Sequence, residues 1–401
     1  MTKNKKKNQK IAPYGIWGVN LDIEAIQQMD NACSLPISIK GALMPDAHKG
    51  YGLPIGGVLA VDNAVIPYAV GVDIACRVKM SILDIPYKDY EKRRGILKIA
   101  LETQTRFGVG EEFSRPKKHM VMDEDWSFSH YIASLKDKAW KQLGTSGSGN
   151  HFAEFGHLVL ENNDLGLEKG EYLALLTHSG SRGTGADIAK HYSCLAKRLH
   201  PELSRNLNDL AWLDLKNSEG REYWLAMELM GKYSAANHDI IHQSISNHLG
   251  AISVLTLENH HNFAWKSQLG YREVIVHRKG ATPAGEGVLG VIPGSMASPA
   301  FIVRGLGNDA SLCSAAHGAG RRMSRTAAMK KFDWSDMTDL LAKKGITLIS
   351  AGIDEVPMAY KRIEDVMDQQ KDLVRIIAKF DPKLVKMAPP GKHRRKGKKR
   401  K

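Results

Sequence analysis

The stretch SVLTLENHHNFAWKSQLGYREVIVHRKGATPAGEGVLGVIPGSMASPAFIVR, residues 253–304, holds four short β-rich runs, at 253–257, 273–277, 288–292 and 301–304, with no helical spacing between them. Further runs of this kind stand at 56–61, 78–85, 157–160 and 172–177. Apolar residues recur at helical spacing over 22–35, 91–107, 130–143, 185–200, 220–248, 334–344 and 357–380. Strands that arrive in runs, with helices as insertions, predict an α+β fold of mixed β-sheet layers flanked by helices rather than a doubly wound sheet.

The chain has 401 residues, 43% of them hydrophobic and 25% charged. That apolar content excludes disorder as a global description, because a chain must bury enough apolar surface to offset its ordering entropy. The net charge of +14 is concentrated at the ends: residues 1–10 carry five lysines, residues 391–401 carry eight Lys and Arg, and neither stretch has an acid. Like-charge blocks of this kind stay solvated or tether polyanions, so on their own they do not establish nucleic-acid binding. The expected organisation is a basic tail at 1–10, one large domain at 11–388, and a basic, disordered tail at 389–401. The longest apolar stretch, 64–75, is interrupted by Pro67 and Asp73 and falls short of the roughly 20 residues of a bilayer span. A cytoplasmic protein with no membrane partner is expected. The four cysteines, Cys33, Cys76, Cys194 and Cys313, lie too far apart to suggest a disulfide framework.

Polar, glycine-flanked segments adjoin the β-rich runs, a placement that lets a rigid sheet hold reactive side chains on its loops. In VGVDIACR (70–77), Asp73 and Cys76 stand three apart, so in a turn both can face one borderline-soft divalent ion. GTSGSGNHFAE (144–154) offers exposed backbone N–H groups and His151, and it lacks the glycine spacing of a dinucleotide fingerprint. THSGSRGTG (177–185) ends a β-rich run and opens a helix, with His178 suited to a metal and Arg182 to a phosphate. ENHHNFA (258–264) offers His260, His261 and Asn262, and adjacent histidines on an extended chain point to opposite sides, so one at most faces a given ion. HGAGRRMSR (317–325) sets His317 before two glycines and Arg321, Arg322 and Arg325, a pattern that suits a nucleophile attacking phosphorus.

These segments, with MPDAHKGYGLPIGG (44–57), RKGA (278–281) and IPGSM (292–296), closely resemble in sequence and order the RtcB family of RNA ligases over roughly residues 14–388. The resemblance implies GTP and two Mn²⁺ ions as cofactors. It implies RNA partners bearing a 3′-phosphate or 2′,3′-cyclic phosphate and a 5′-hydroxyl, joined through a histidine–GMP intermediate and an activated RNA 3′ end. By position His317 would carry the GMP, with Asp46, Arg182 and Arg325 at catalytic or phosphate-handling positions. One ion would take Asp73, Cys76 and His151, and the other Cys76, His178 and His261. The nucleotide would meet Asn150, His151, Phe152, Glu154, Asn262, Pro293, Gly294, Ser295, Met296, Gly318, Ala319, Gly320 and Lys386. Two positions depart from the family pattern: Ala300 stands in place of a serine, and Lys386 is one position out of register. A monomer is expected, with room for an activating protein partner. From the residues alone, a two-metal RNA-end phosphoesterase and an RNA-binding protein with a degenerate site remain the alternatives.

Overall fold

In the computed structural model, which describes residues 11–390, antiparallel pairing builds most of two sheets. The larger sheet runs in the order Leu289–Pro293, Ala300–Gly305, Val374–Met387, Phe152–Leu160, Gly170–Ser179, Arg77–Pro86 and Ser253–His260, and Thr347–Ser350 joins Val374–Met387 in parallel. Its two end strands are tied by the Asn259 side chain, which accepts from Val291 N–H at 2.8 Å and donates to the Val291 carbonyl at 3.3 Å. The sheet thereby curls into a nearly closed barrel.

Side chains alternate across each strand, so the two faces of the sheet are sorted by parity. Val78, Met80, Ile82, Leu176, Ile302 and Phe380 fill the inside of the curl. Phe155, Leu173 and Leu175 face outward onto Leu97 and Leu101 of helix Tyr90–Gln104 and onto Ile241 and Ile245 of helix Ser218–Leu249. The smaller sheet has the order Tyr14–Ile16, Ser38–His48, Ile55–Val61, Arg272–Lys279 and Asn262–Leu269, with only its first pair parallel. Leu59, Val61 and Ile275 of this sheet pack in one core with helices Ile23–Cys33, Arg182–Leu199 and Ser218–Leu249.

The α+β reading of the sequence matches this architecture; several short elements, among them strand Asn262–Leu269 and helix Arg325–Lys331, are additional to it, and two segments differ most. Residues 357–380, read as one helix, form the turn Pro357–Ala359, the short helix Ile363–Asp368 and most of strand Val374–Met387. The apolar residues there suit a strand in the middle of the larger sheet, and pairing on both sides outweighs their local spacing. Ser38–His48, which was not read as a strand, has Gly41 to Ala47 buried without alternation, so it shows no period-2 signal. The predicted tail at 1–10, and the tail at 389–401 apart from Pro389 and Pro390, lie outside the described residues. Among the described residues, no helix is long and apolar enough to cross a membrane.

Candidate active site

Antiparallel pairing brings alternate strand beginnings and ends to one rim of the larger sheet. Arg77 pairs with both Ser179 and His260, and Phe152 pairs with both His178 and Met387. Residues at or just beyond these pairs therefore become neighbours. Cys76 precedes strand Arg77–Pro86, His151 precedes Phe152–Leu160, His178 nearly ends Gly170–Ser179, and His261 follows Ser253–His260.

Cys76 lies between two groups of donors. Its Sγ is 3.4 Å from His151 Nε2 and 3.1 Å from His178 Nε2. His151 Nε2 is 3.0 Å from Asp73 Oδ2, and His178 Nε2 is 3.3 Å from His261 Nε2. The donor atoms of Asp73, Cys76 and His151 lie within 4.8 Å of one another, as do those of Cys76, His178 and His261. Burial lowers His178 to about 3 and holds His261 far below the usual imidazole range, with nearby imidazoles adding to the effect. His178 Nδ1–H donates to the Asn150 carbonyl at 3.1 Å, which leaves its Nε2 lone pair facing Cys76 and His261. Burial, reinforced by Asp73, pushes the Cys76 thiol well up, so an ion binding there displaces a proton. Burial works to raise Asp73 as well, but its hydrogen bond to His151 and the charges of His151 and Arg182 outweigh that and hold it well below the usual carboxylate range. Converging oxygen, sulfur and imidazole donors, in two groups that share the sulfur, are chemically suited to a borderline-soft divalent ion.

The surroundings keep this cluster in shape. Ser181 N–H donates to Asp73 Oδ1 at 3.0 Å, and Arg182 donates to His151 Nδ1 at 3.3 Å and to Thr145 Oγ1 at 3.2 Å. From helix Ser218–Leu249, Asn237 accepts from Gly144 N–H at 2.7 Å and donates to the Thr145 carbonyl at 3.0 Å. Ala75 and Arg182, beside the ligands, adopt left-handed backbone angles of φ 55 and 57, a strain on the order of 1 kcal/mol each. At Gly180 a Cβ would lie 2.3 Å from both carboxylate oxygens of Asp73, so a glycine is needed for that carboxylate to sit there.

His317 follows strand Ser314–Ala316, and its Nδ1–H donates to Asp46 Oδ2 at 2.7 Å. The main-chain N–H of His317 donates to the same oxygen at 3.2 Å, and Asp46 is fully buried. With the proton on Nδ1, the lone pair is on Nε2. The ring centroid lies 4.8 Å from that of His261, beside the donor cluster and outside both of its groups.

A cavity of about 280 Å³ opens over His317. Of the residues expected around a nucleotide, Asn150, Phe152, Glu154, Pro293, Gly294, Ser295, Met296, Gly318, Ala319 and Gly320 line it. Burial pushes the Glu154 carboxyl up to about 8. Arg325 also lines the cavity, with its guanidinium paired to Asp354 at 2.6 Å and to Glu355, whereas Arg182 stands behind His151.

Three of the residues expected at the nucleotide do not line the cavity: His151, which stands in the donor cluster, Asn262 and Lys386. The Asn262 amide braces the chain: it donates to the Asp73 carbonyl at 3.1 Å and accepts from Gly280 N–H at 2.8 Å. Lys386 turns to the far side of its strand, where Nζ donates to the carbonyls of Leu101 at 2.9 Å and Glu102 at 3.1 Å, near the end of helix Tyr90–Gln104. Strand parity sets this, and Met387, one position on, lines the cavity instead. Lys386→Ala should accordingly leave nucleotide affinity unchanged and cost about 1 kcal/mol of stability, read as a lower melting temperature. Ala300 packs inside the curl of the sheet and does not reach the cavity.

His48, Glu355, Tyr360 and Met387 line the cavity without having been singled out from the sequence. Glu355 accepts from Arg321 and Tyr360, and an acid matched to the arginines after His317 was the one available signal. His48 lay inside the segment MPDAHKGYGLPIGG, unremarked among its glycines.

Comparison with known proteins gives one consistent result. The family described as tRNA-splicing ligase RtcB matches residues 28–387. The RNA-splicing ligase RtcB of Escherichia coli (strain K12) is 34% identical over 400 residues, covering 91% of this chain and 95% of that protein. The tRNA-splicing ligase RtcB of Methanococcus maripaludis is 29% identical, covering 93% of this chain and 92% of its own length. An RNA-splicing ligase RtcB homolog of Entamoeba histolytica is 28% identical over 90% of this chain.

Proposed function

The chain belongs to the RtcB family of RNA-splicing ligases, and on that premise we propose that this RNA ligase uses GTP and Mn²⁺ to join RNA 3′-phosphate or 2′,3′-cyclic phosphate ends to 5′-hydroxyl ends. His317 Nε2 attacks the α-phosphorus of GTP, an N–P bond forms, and pyrophosphate leaves. The guanylate passes to the RNA 3′-phosphate, and the 5′-hydroxyl of the second strand displaces it. Asp73, Cys76 and His151 would hold one ion, and Cys76, His178 and His261 the other. Bound there, the ions supply positive charge to the phosphate oxygens. Asp46 keeps the His317 ring aimed and its Nδ1 protonated, so that Nε2 stays free to attack.

The observation that supports this reading best is an imidazole ordered by a buried carboxylate, beside the donor cluster but free of it. Intact-mass measurement after incubation with GTP and Mn²⁺ tests it: a mass gain of one guanylate is expected. A metal-loaded chain that gains no mass would count against the ligase chemistry and favour a phosphoesterase.

Glu154 gives the reading a pH signature. Guanine offers N–H donors that pair with a carboxylate, whereas burial keeps Glu154 protonated below about 8 in the free protein. Guanine-nucleotide affinity should therefore rise with pH, by up to about tenfold per unit, and level off above that pKa. Titration calorimetry across this range would show the slope, and Glu154→Gln should flatten it.

A further inference from the structure

His48 ends strand Ser38–His48 and pairs with Ile55, and both line the cavity that contains His317. They come from the smaller sheet, whereas Phe152, Glu154 and His178 come from the larger one. His48 Nδ1 lies 3.1 Å from the main-chain carbonyl of Asp46. A carbonyl only accepts, so Nδ1 carries a proton; in the neutral ring the lone pair is then on Nε2, and the ring lines the cavity. Asp46 thus orders two imidazoles at once, His317 through its carboxylate and His48 through its carbonyl. The guanylate-accepting role of His317 accounts for only one of these two rings.

Sealing needs a base, because the attacking 5′-hydroxyl must lose its proton as it bonds to phosphorus. We propose that His48 is that base. Its Nε2 takes the proton of the RNA 5′-hydroxyl while the hydroxyl oxygen bonds to the phosphorus of the activated 3′ end. The bond from that phosphorus to the guanylate oxygen breaks, GMP leaves with the electron pair, and His48 later returns the proton to solvent. This rests on the ligase reading above.

The charged groups around His48 set its readiness. Asp46 lies on its own strand, His317 stands nearby, and the Lys361 ammonium donates to the carbonyls of Pro45 at 3.0 Å and Ala47 at 2.9 Å. Burial lowers His48 to about 4, with Asp46 opposing the shift and His317 and Lys361 adding to it. The ring is therefore neutral and able to accept a proton throughout the neutral range. The phosphates of a bound RNA end and guanylate bring negative charge that raises its basicity when substrate is present.

His48→Asn retains a side-chain N–H for the Asp46 carbonyl and removes the base. Given GTP, Mn²⁺ and labelled RNAs with 3′-phosphate and 5′-hydroxyl ends, this variant should form the His317 guanylate as the parent does. It should then accumulate guanylated RNA and seal it about 10²-fold or more slowly. The parent should also lose sealing rate toward acid pH along a limb that the variant lacks. Sealing at the parent rate, or a guanylation defect as large as the sealing defect, would overturn the assignment. Absence of the guanylate in the parent itself would mark a failure of the ligase reading instead, and the assignment would fall with it.

Discussion

His317→Ala should form no detectable guanylate adduct with GTP and Mn²⁺, should lose RNA joining by about 10⁴-fold or more, and should bind divalent ions as the parent does. The separation of these effects follows from the geometry. The His317 ring is held by Asp46 and belongs to neither group of donor atoms around Cys76, so removing it deletes the attacking nitrogen and leaves those donors in place. The fold should survive, because Asp46 keeps its hydrogen bond from the main-chain N–H of residue 317. Intact mass, a gel-based joining assay and elemental analysis of the same preparation read the three quantities. A full-strength adduct in the variant would show that another residue carries the guanylate.

Cys76→Ala should have a different profile, losing both ions and, with them, every later step. Among the described residues Cys76 is the one whose donor atom falls in both groups. Removing a residue that merely supports a ligand costs about 10- to 100-fold in metal affinity, so deleting a shared ligand should exceed that for each ion. The change in stability should stay near 1 kcal/mol, since the side chain is small and only one heavy atom is removed. Cys33→Ala is the matched control: that thiol is buried in the core shared by helix Ile23–Cys33 and the smaller sheet, away from the cluster. Stoichiometric metal in Cys76→Ala would refute the shared role.

Much of this arrangement was legible in the sequence, and the exceptions have physical causes. The β-rich runs at 78–85 and 172–177 stood out because both faces of these strands are buried, one inside the curl and one against helices. Asp73, Cys76, His151, His178 and the pair His260 and His261 drew notice because polar residues next to such runs sit where strands end; the family resemblance chose His261 of the pair, and pairing decides which ends meet. Ser38–His48 escaped because an uninterrupted buried run containing Pro45 and glycine-flanked polar residues reads as a loop. The apparent helix at 357–380 failed because its apolar spacing suits either structure locally, and only strands far away in sequence decide between them. Lys386 and Asn262 show a finer limit: which way a side chain points at a strand end depends on parity and on backbone partners that spacing does not reveal.

The order of strands in the larger sheet has a consequence for how the chain matures. Phe152–Leu160, Gly170–Ser179, Arg77–Pro86 and Ser253–His260 are contiguous neighbours, and every residue of the donor cluster lies at their common rim. A ribosome will have delivered all of those residues once His261 is made, whereas His317 and the cavity wall at Met387 come much later. The growing polypeptide therefore holds the whole donor cluster before residue 317 and the cavity wall exist.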